Sequence, residues 1–180
     1  MTEEEKVKIR NGIETVLENR RLAAERVGRD PEDIRVVLAT KTRSAEEINF
    51  ALTCGVCEIG ENRVQELLDK YDALNKENLH LHFIGTLQTN KVKYIIDKVE
   101  LIHSVSSKKL ADEIERQAAK HGKIMDVLIE VNAVDENSKT GVAAENFEEL
   151  LRYAATLPHL RVRGLMAIPP APEKSTEGQE

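Results

Sequence analysis

The sequence predicts an α/β fold of the (β/α)8 barrel kind, with about six of the eight strands present and an extra helix at the N-terminus. Three observations predict it. Short apolar, β-branched runs alternate with amphipathic stretches of helical period along almost the whole chain, and parallel strands need such crossovers between them. Polar residues (Lys41, Asn62, Gln88, His103, Ser104 and Asn132) fall at or just beyond the C-terminal ends of those runs, where a barrel gathers its site. The rival architecture, a doubly wound open sheet, usually carries a Gly-rich phosphate turn after its first strand; here that position reads Lys41-Thr42-Arg43-Ser44.

The N-terminal helix is expected over 1–28. Thr2 and Glu5 have capping-box spacing, Ile9, Ile13, Val16, Leu17, Ala24 and Val27 recur at helical intervals, and Gly28 supplies the stop. Strands are expected over 35–42, 57–60, 80–85, 101–105, 126–132 and 162–168. Between them, Ser44 and Glu47 form a second capping box ahead of Ile48, Ala51 and Leu52. Helical patterns then cover 62–74, 89–97, 108–121 (ending at Gly122) and 145–157 (ending before Pro158). The last segment, 169–180, is rich in Pro, Glu and small residues and reads as a flexible tail. Six strands do not close an eight-stranded ring, so the chain is expected to be a single domain, 1–180, that lacks its last two strands.

Composition narrows the function classes. Apolar residues make up 41% and charged residues 32%, as in globular proteins generally. A net charge of -6 offers no basic stripe for nucleic acid and no attraction to anionic membranes. No apolar run approaches the ~20 residues of a spanning helix. The N-terminus, Met1-Thr2-Glu3-Glu4-Glu5, is acidic where a secretory signal would be basic and then apolar, and two cysteines give no disulfide framework. A cytoplasmic location is expected.

Lys41 is the most informative single residue. It follows Val36-Val37-Leu38-Ala39-Thr40, a run expected to be buried on both faces, and strand alternation would put Ala39, Lys41 and Arg43 on one side. A second cation nearby and partial desolvation favour the neutral amine that condenses with an aldehyde. The alternative is a lysine that ends a strand and reaches into water. Cys54-Gly55-Val56-Cys57 has the spacing of a dithiol redox site, but it follows a helix, at the end that does not stabilise a thiolate. Two small residues buried at a turn is the competing reading. His80 and His82 alternate along one strand and His103 lies near the end of another, whereas His121 and His159 read as solvent-facing turn residues. No metal is assigned.

Several segments together resemble one family, the YggS/PROSC family of pyridoxal-phosphate-binding proteins. Val37-Leu38-Ala39-Thr40-Lys41-Thr42 resembles its cofactor-lysine strand, and Gly60-Glu61-Asn62-Arg63-Val64-Gln65-Glu66 its second-strand motif. His82-Phe83-Ile84-Gly85-Thr86-Leu87-Gln88-Thr89-Asn90-Lys91 is similar to its most distinctive signature. Asp135-Glu136-Asn137-Ser138-Lys139-Thr140-Gly141 and Arg163-Gly164-Leu165-Met166-Ala167-Ile168 follow in the family's order. Arg43 stands where some relatives carry lysine, and Leu81 where many carry an aromatic residue.

The resemblance implies a barrel like the N-terminal domain of alanine racemase, and pyridoxal 5'-phosphate held as a Schiff base on Lys41. It implies a role in vitamin B6 homeostasis without established turnover, including transfer of the cofactor to apo-enzymes; the lack of a second domain leads us to expect a monomer at full length. Asn62, Asn132 and Met166 are candidates for lining the cofactor ring, with Lys139 as an assisting lysine. Their alternatives are a helix cap for Asn62, core filler for Met166 and a solvated loop charge for Lys139. The resemblance also implies that a further helix and two strands, with phosphate-holding loops, follow in relatives. Two rival functions stay open: a racemase-like enzyme using the same lysine, and a dithiol redox protein using Cys54 and Cys57.

Overall fold

A computed structural model of the chain describes residues 1–132 and 141–168. Lys139, most of the segment 135–141 and the expected tail 169–180 lie outside the described residues.

Helix α1 (Glu3–Arg26) begins at Thr2, whose side chain accepts from the Glu5 N–H while Glu5 reaches back, so the expected capping box is formed. Five strands then alternate with helices: β1 (Val37–Ala39), α2 (Ala45–Leu52), β2 (Glu58–Glu61), α3 (Val64–Tyr71), β3 (His80–Phe83), α4 (Val92–Ile95), β4 (Leu101–Val105), α5 (Lys108–Lys120) and β5 (Met125–Asn132). A two-residue strand β6 (Val142–Ala143), α6 (Phe147–Ala154) and β7 (Leu160–Met166) complete the described chain. The Ser44–Glu47 capping box opens α2 as expected.

The sheet settles the choice of architecture. Strands β1 to β5 pair in parallel in chain order, and β7 continues beside β5, with β6 paired only to the last two residues of β5. A doubly wound sheet would reverse its order at a switch point; this one runs on in one direction, as a barrel wall does. Among the described residues β1 and β7 each pair on one side only, so the ring is not closed.

Several expectations are corrected. The first strand spans Val37–Ala39 and not 35–42, because the chain turns at Lys41 and Thr42. Its run is only half-buried, with Ala39 exposed, because it has a single neighbour. The helix expected over 89–97 divides into a 3₁₀ turn, Thr89–Lys91, and the short α4. Strand β6 has no apolar run and was not foreseen.

The two faces of the sheet differ in chemistry. On one, Ile59, Phe83, Ile102, Met125, Val127 and Ile129 pack against Ile48, Leu67, Ile95 and Ile114 of the helices in one contiguous core. Helix α1 lies outside it, held by a satellite cluster in which Ile13 meets Ala51 and Val56. The opposite face, which a closed barrel would enclose, is polar. Arg35 pairs with Glu58 at 3.2 Å, Glu58 lies 3.6 Å from His82 Nε2, and His82 Nδ1 meets His103 Nε2 at 3.0 Å. Asp126 accepts from Arg161 at 2.6 Å on the same face. His103 therefore sits in mid-strand beside His82, and not at the strand end where the sequence pattern put it. His159 also differs from its expected solvent-facing role: it is half-buried, with its backbone N–H and ring both on Glu115. No helix among the described residues is long and apolar enough to cross a membrane.

Two outcomes follow from this division. Ile59 is fully buried between sheet and helices, so Ile59→Ala should lower unfolding free energy by about 2–5 kcal/mol in urea titrations. His82 is pushed down to about 4 by burial and then by the neighbouring His103. An unfolded imidazole titrates near ~6.5, so between there and the folded value the unfolded state binds a proton that the folded state does not, and stability falls as pH falls. Moving from pH ~7 to pH ~5 should cost on the order of 2 kcal/mol through this group. The variant His82→Gln should flatten that dependence; an unchanged slope would show that His82 does not titrate in this window.

Candidate functional site

The C-terminal end of β1 runs straight into a tight turn, Thr40-Lys41-Thr42-Arg43, closed by the Arg43 N–H donating to the Thr40 carbonyl at 3.1 Å. Thr42, its third residue, has φ 64. Type II turns require such a positive φ at that position and usually place glycine there. A β-branched residue in this region costs about 1–3 kcal/mol, so its surroundings must hold it.

Helix α3 and strand β2 supply the hold. Glu66 accepts the Thr42 N–H at 3.1 Å, and that hydrogen bond keeps the Glu66 carboxyl below its ordinary pKa. Lys70 donates to the Thr40 carbonyl at 3.2 Å, the Arg43 carbonyl at 3.0 Å and Glu61 Oε1 at 3.0 Å. The Thr40 hydroxyl donates to the same Glu61 oxygen. Glu61 is completely buried and the Lys70 side chain nearly so. Lys41 itself is exposed, and among the described residues its amine has no hydrogen-bond or ion-pair partner.

Asn62 follows the end of β2, the strand that pairs with β1 through Ala39↔Gly60, and so lies at the same end of the sheet as the turn. Asn62 Oδ1 is buried without a hydrogen-bond partner, an orphaned acceptor at the strand ends. The N-cap of α3 is Arg63, so Asn62 does not serve as the helix cap. Gly85 packs against it so closely that a Cβ at 85 would lie 2.1 Å from the Asn62 carbonyl oxygen. Asn132 ends β5, and Met166 ends β7 in register with Glu130. Both share the C-terminal end of the sheet with Lys41, several strands away. Met166 is half-buried and stands apart from the apolar core, so it is not core filler.

Other candidates fall away. Arg43 does not accompany Lys41 on one strand face, because the turn breaks the alternation; it pairs with Glu47 at 3.3 Å. Cys57 is exposed and Cys54 donates to the Phe50 carbonyl, so the two are not both buried, and they lie after the C-terminus of α2 as a pair of free thiols. Among the described residues no group of three or more His, Cys, Asp or Glu is arranged to hold a metal ion.

Sequence reasoning missed the supports, Glu61, Glu66 and Lys70. A signal existed: Ile59 faces the helices, so alternation sends Glu61 the same way, into the core, where a carboxylate needs a cation. Lys70 follows the buried Leu67 by three positions and so shares its helix face.

The arrangement offers an unpartnered amine on a hydrogen-bonded turn and a buried, unsatisfied amide oxygen at the same end of the sheet. Residues 13–179 match the model of the alanine racemase N-terminal domain. The chain is 50% identical over 158 residues to the pyridoxal phosphate homeostasis protein of Aquifex aeolicus, covering 88% of this chain and 69% of that protein. It is 40% identical over 154 residues to the protein of the same name from Escherichia coli, covering 84% and 65%, so it spans about two thirds of these relatives. The solved structure of PipY from Synechococcus elongatus with pyridoxal phosphate bound superposes with a TM-score of 0.69 at 29% identity, over 86% of this chain and 71% of that one. With a parallel wall in chain order, a lysine turn at the end of its first strand and relatives of this likeness, the chain belongs to the family of pyridoxal phosphate homeostasis proteins, built on the alanine racemase N-terminal fold.

Proposed function

We propose that this chain binds pyridoxal 5'-phosphate through Lys41, as a Schiff base, and acts in intracellular vitamin B6 homeostasis. The observation that carries the reading is the Lys41 amine itself: exposed, unpartnered, and mounted on a turn whose backbone is held from below by buried charges. The cofactor supplies an aldehyde, which joins a lysine amine with loss of one water.

The residues present fit such a group. The orphaned Asn62 oxygen would accept from a polar ligand atom or a bridging water, which would remove the cost of leaving it buried and unpaired. Asn132 and Met166, at the far side of the same end of the sheet, are proposed to line the ring with it. Lys139 is proposed as an assisting amine. Transfer of the cofactor to apo-enzymes, a monomeric state at full length and a cytoplasmic location complete the proposal. They are supported by the likeness to the homeostasis proteins and by the acidic, mixed-charge surface.

The test is to mix the protein with equimolar pyridoxal phosphate, reduce with borohydride and map the labelled peptides by mass spectrometry. Label concentrated on Lys41, and lost in Lys41→Ala, is the expected result. Label scattered over surface lysines, unchanged in Lys41→Ala, would remove the site.

A further inference from the structure

We propose that Lys70 is a positioning residue for Lys41, acting from helix α3 on the backbone of the turn that carries it; the inference rests on the Lys41 reading above. A lysine ammonium has three N–H donors, and here they meet three acceptors: the Thr40 carbonyl, the Arg43 carbonyl and Glu61 Oε1. Two of the three belong to the two ends of one turn. The ammonium therefore ties the first and fourth residues together beneath the second, Lys41.

Helix α3 contributes from two successive turns. Glu66, four residues before Lys70, takes the Thr42 N–H. One helix thus engages the turn through a cation at its carbonyls and an anion at its amide, and Glu61 neutralises the cation from β2. Burying a lysine and a glutamate seldom stabilises a fold more than apolar residues of the same size would. What the pair does here is local: it holds Thr42 in a left-handed conformation that threonine does not adopt unaided. The freedom left to Lys41 is that of its side chain alone, so its amine is presented from a fixed origin.

The full chain and its variants Lys70→Met, Glu66→Ala and Lys41→Ala are each mixed with equimolar pyridoxal phosphate and quenched with borohydride over a time course. The readout is the rate of labelling at Lys41 relative to that at other exposed lysines, a ratio that loss of stability alone does not change in folded protein. Hydrogen exchange at the Thr42 and Arg43 amides, without cofactor, is followed alongside. Lys70→Met should lower the Lys41 ratio by about tenfold to a hundredfold, the range produced by displacing a reacting group by an ångström, and should speed exchange at Thr42. Parental selectivity with parental exchange would overturn the inference and leave the cofactor reading intact. Label away from Lys41 in the parent would overturn the cofactor reading, and the inference with it. Should Lys70→Met not fold, Glu66→Ala decides, because that carboxylate is partly exposed: a reduced Lys41 ratio supports the inference, and parental selectivity overturns it.

Discussion

Parallel strands cannot be joined by a tight turn, so each neighbouring pair in the wall from β1 to β7 is separated by a crossover, and every crossover but that between β5 and β6, which the described residues do not cover, carries helix on the same side of the sheet. The consequences spread through the molecule. The helix side becomes a continuous apolar core, and the other side is free to be polar. All the strands end at the same edge, so whatever follows a strand, whether Lys41, Asn62 or Asn132, arrives where the others do.

The polar side is layered. Along the wall, Arg35, Glu58, His82 and His103 form a chain of charged and hydrogen-bonding groups, with Asp126 and Arg161 farther along and both arginines exposed. Above it, at the strand ends, stand the lysine turn and the asparagines. The lower layer gives the wall its filling, in the way that side chains fill the interior of a barrel. The upper layer has the Asn62 oxygen and the Lys41 amine, while Glu58 Oε2 is a buried acceptor without a partner in the lower layer.

Much of this was legible in the chain. The six principal strands followed from periodicity, their barrel order from the polar residues at the strand ends, and both capping boxes from three-residue spacing; the apolar run before Lys41 marked a strand end and left the role of the lysine open. What was not legible depended on contacts between elements. The end of β1 was set by Thr42, a residue that no propensity assigns to a left-handed turn. Alternation from Ile59 pointed Glu61 into the core, but that Lys70 is its partner and also grips the turn depends on how α3 packs against β2. His103 was read as a strand-end residue because its neighbour across the sheet, His82, is 21 positions away in the chain. Cys57 read as buried because cysteines usually are, whereas the turn at Gly55 leaves it open to solvent.

Gly85 has a mechanical consequence. The end of β2 and the loop that leaves β3 pass so close at this point that only a residue without a Cβ fits between them. Any side chain at 85 would have to part the end of β2 from the loop after β3, and Asn62, which stands at that junction, would have to move with it.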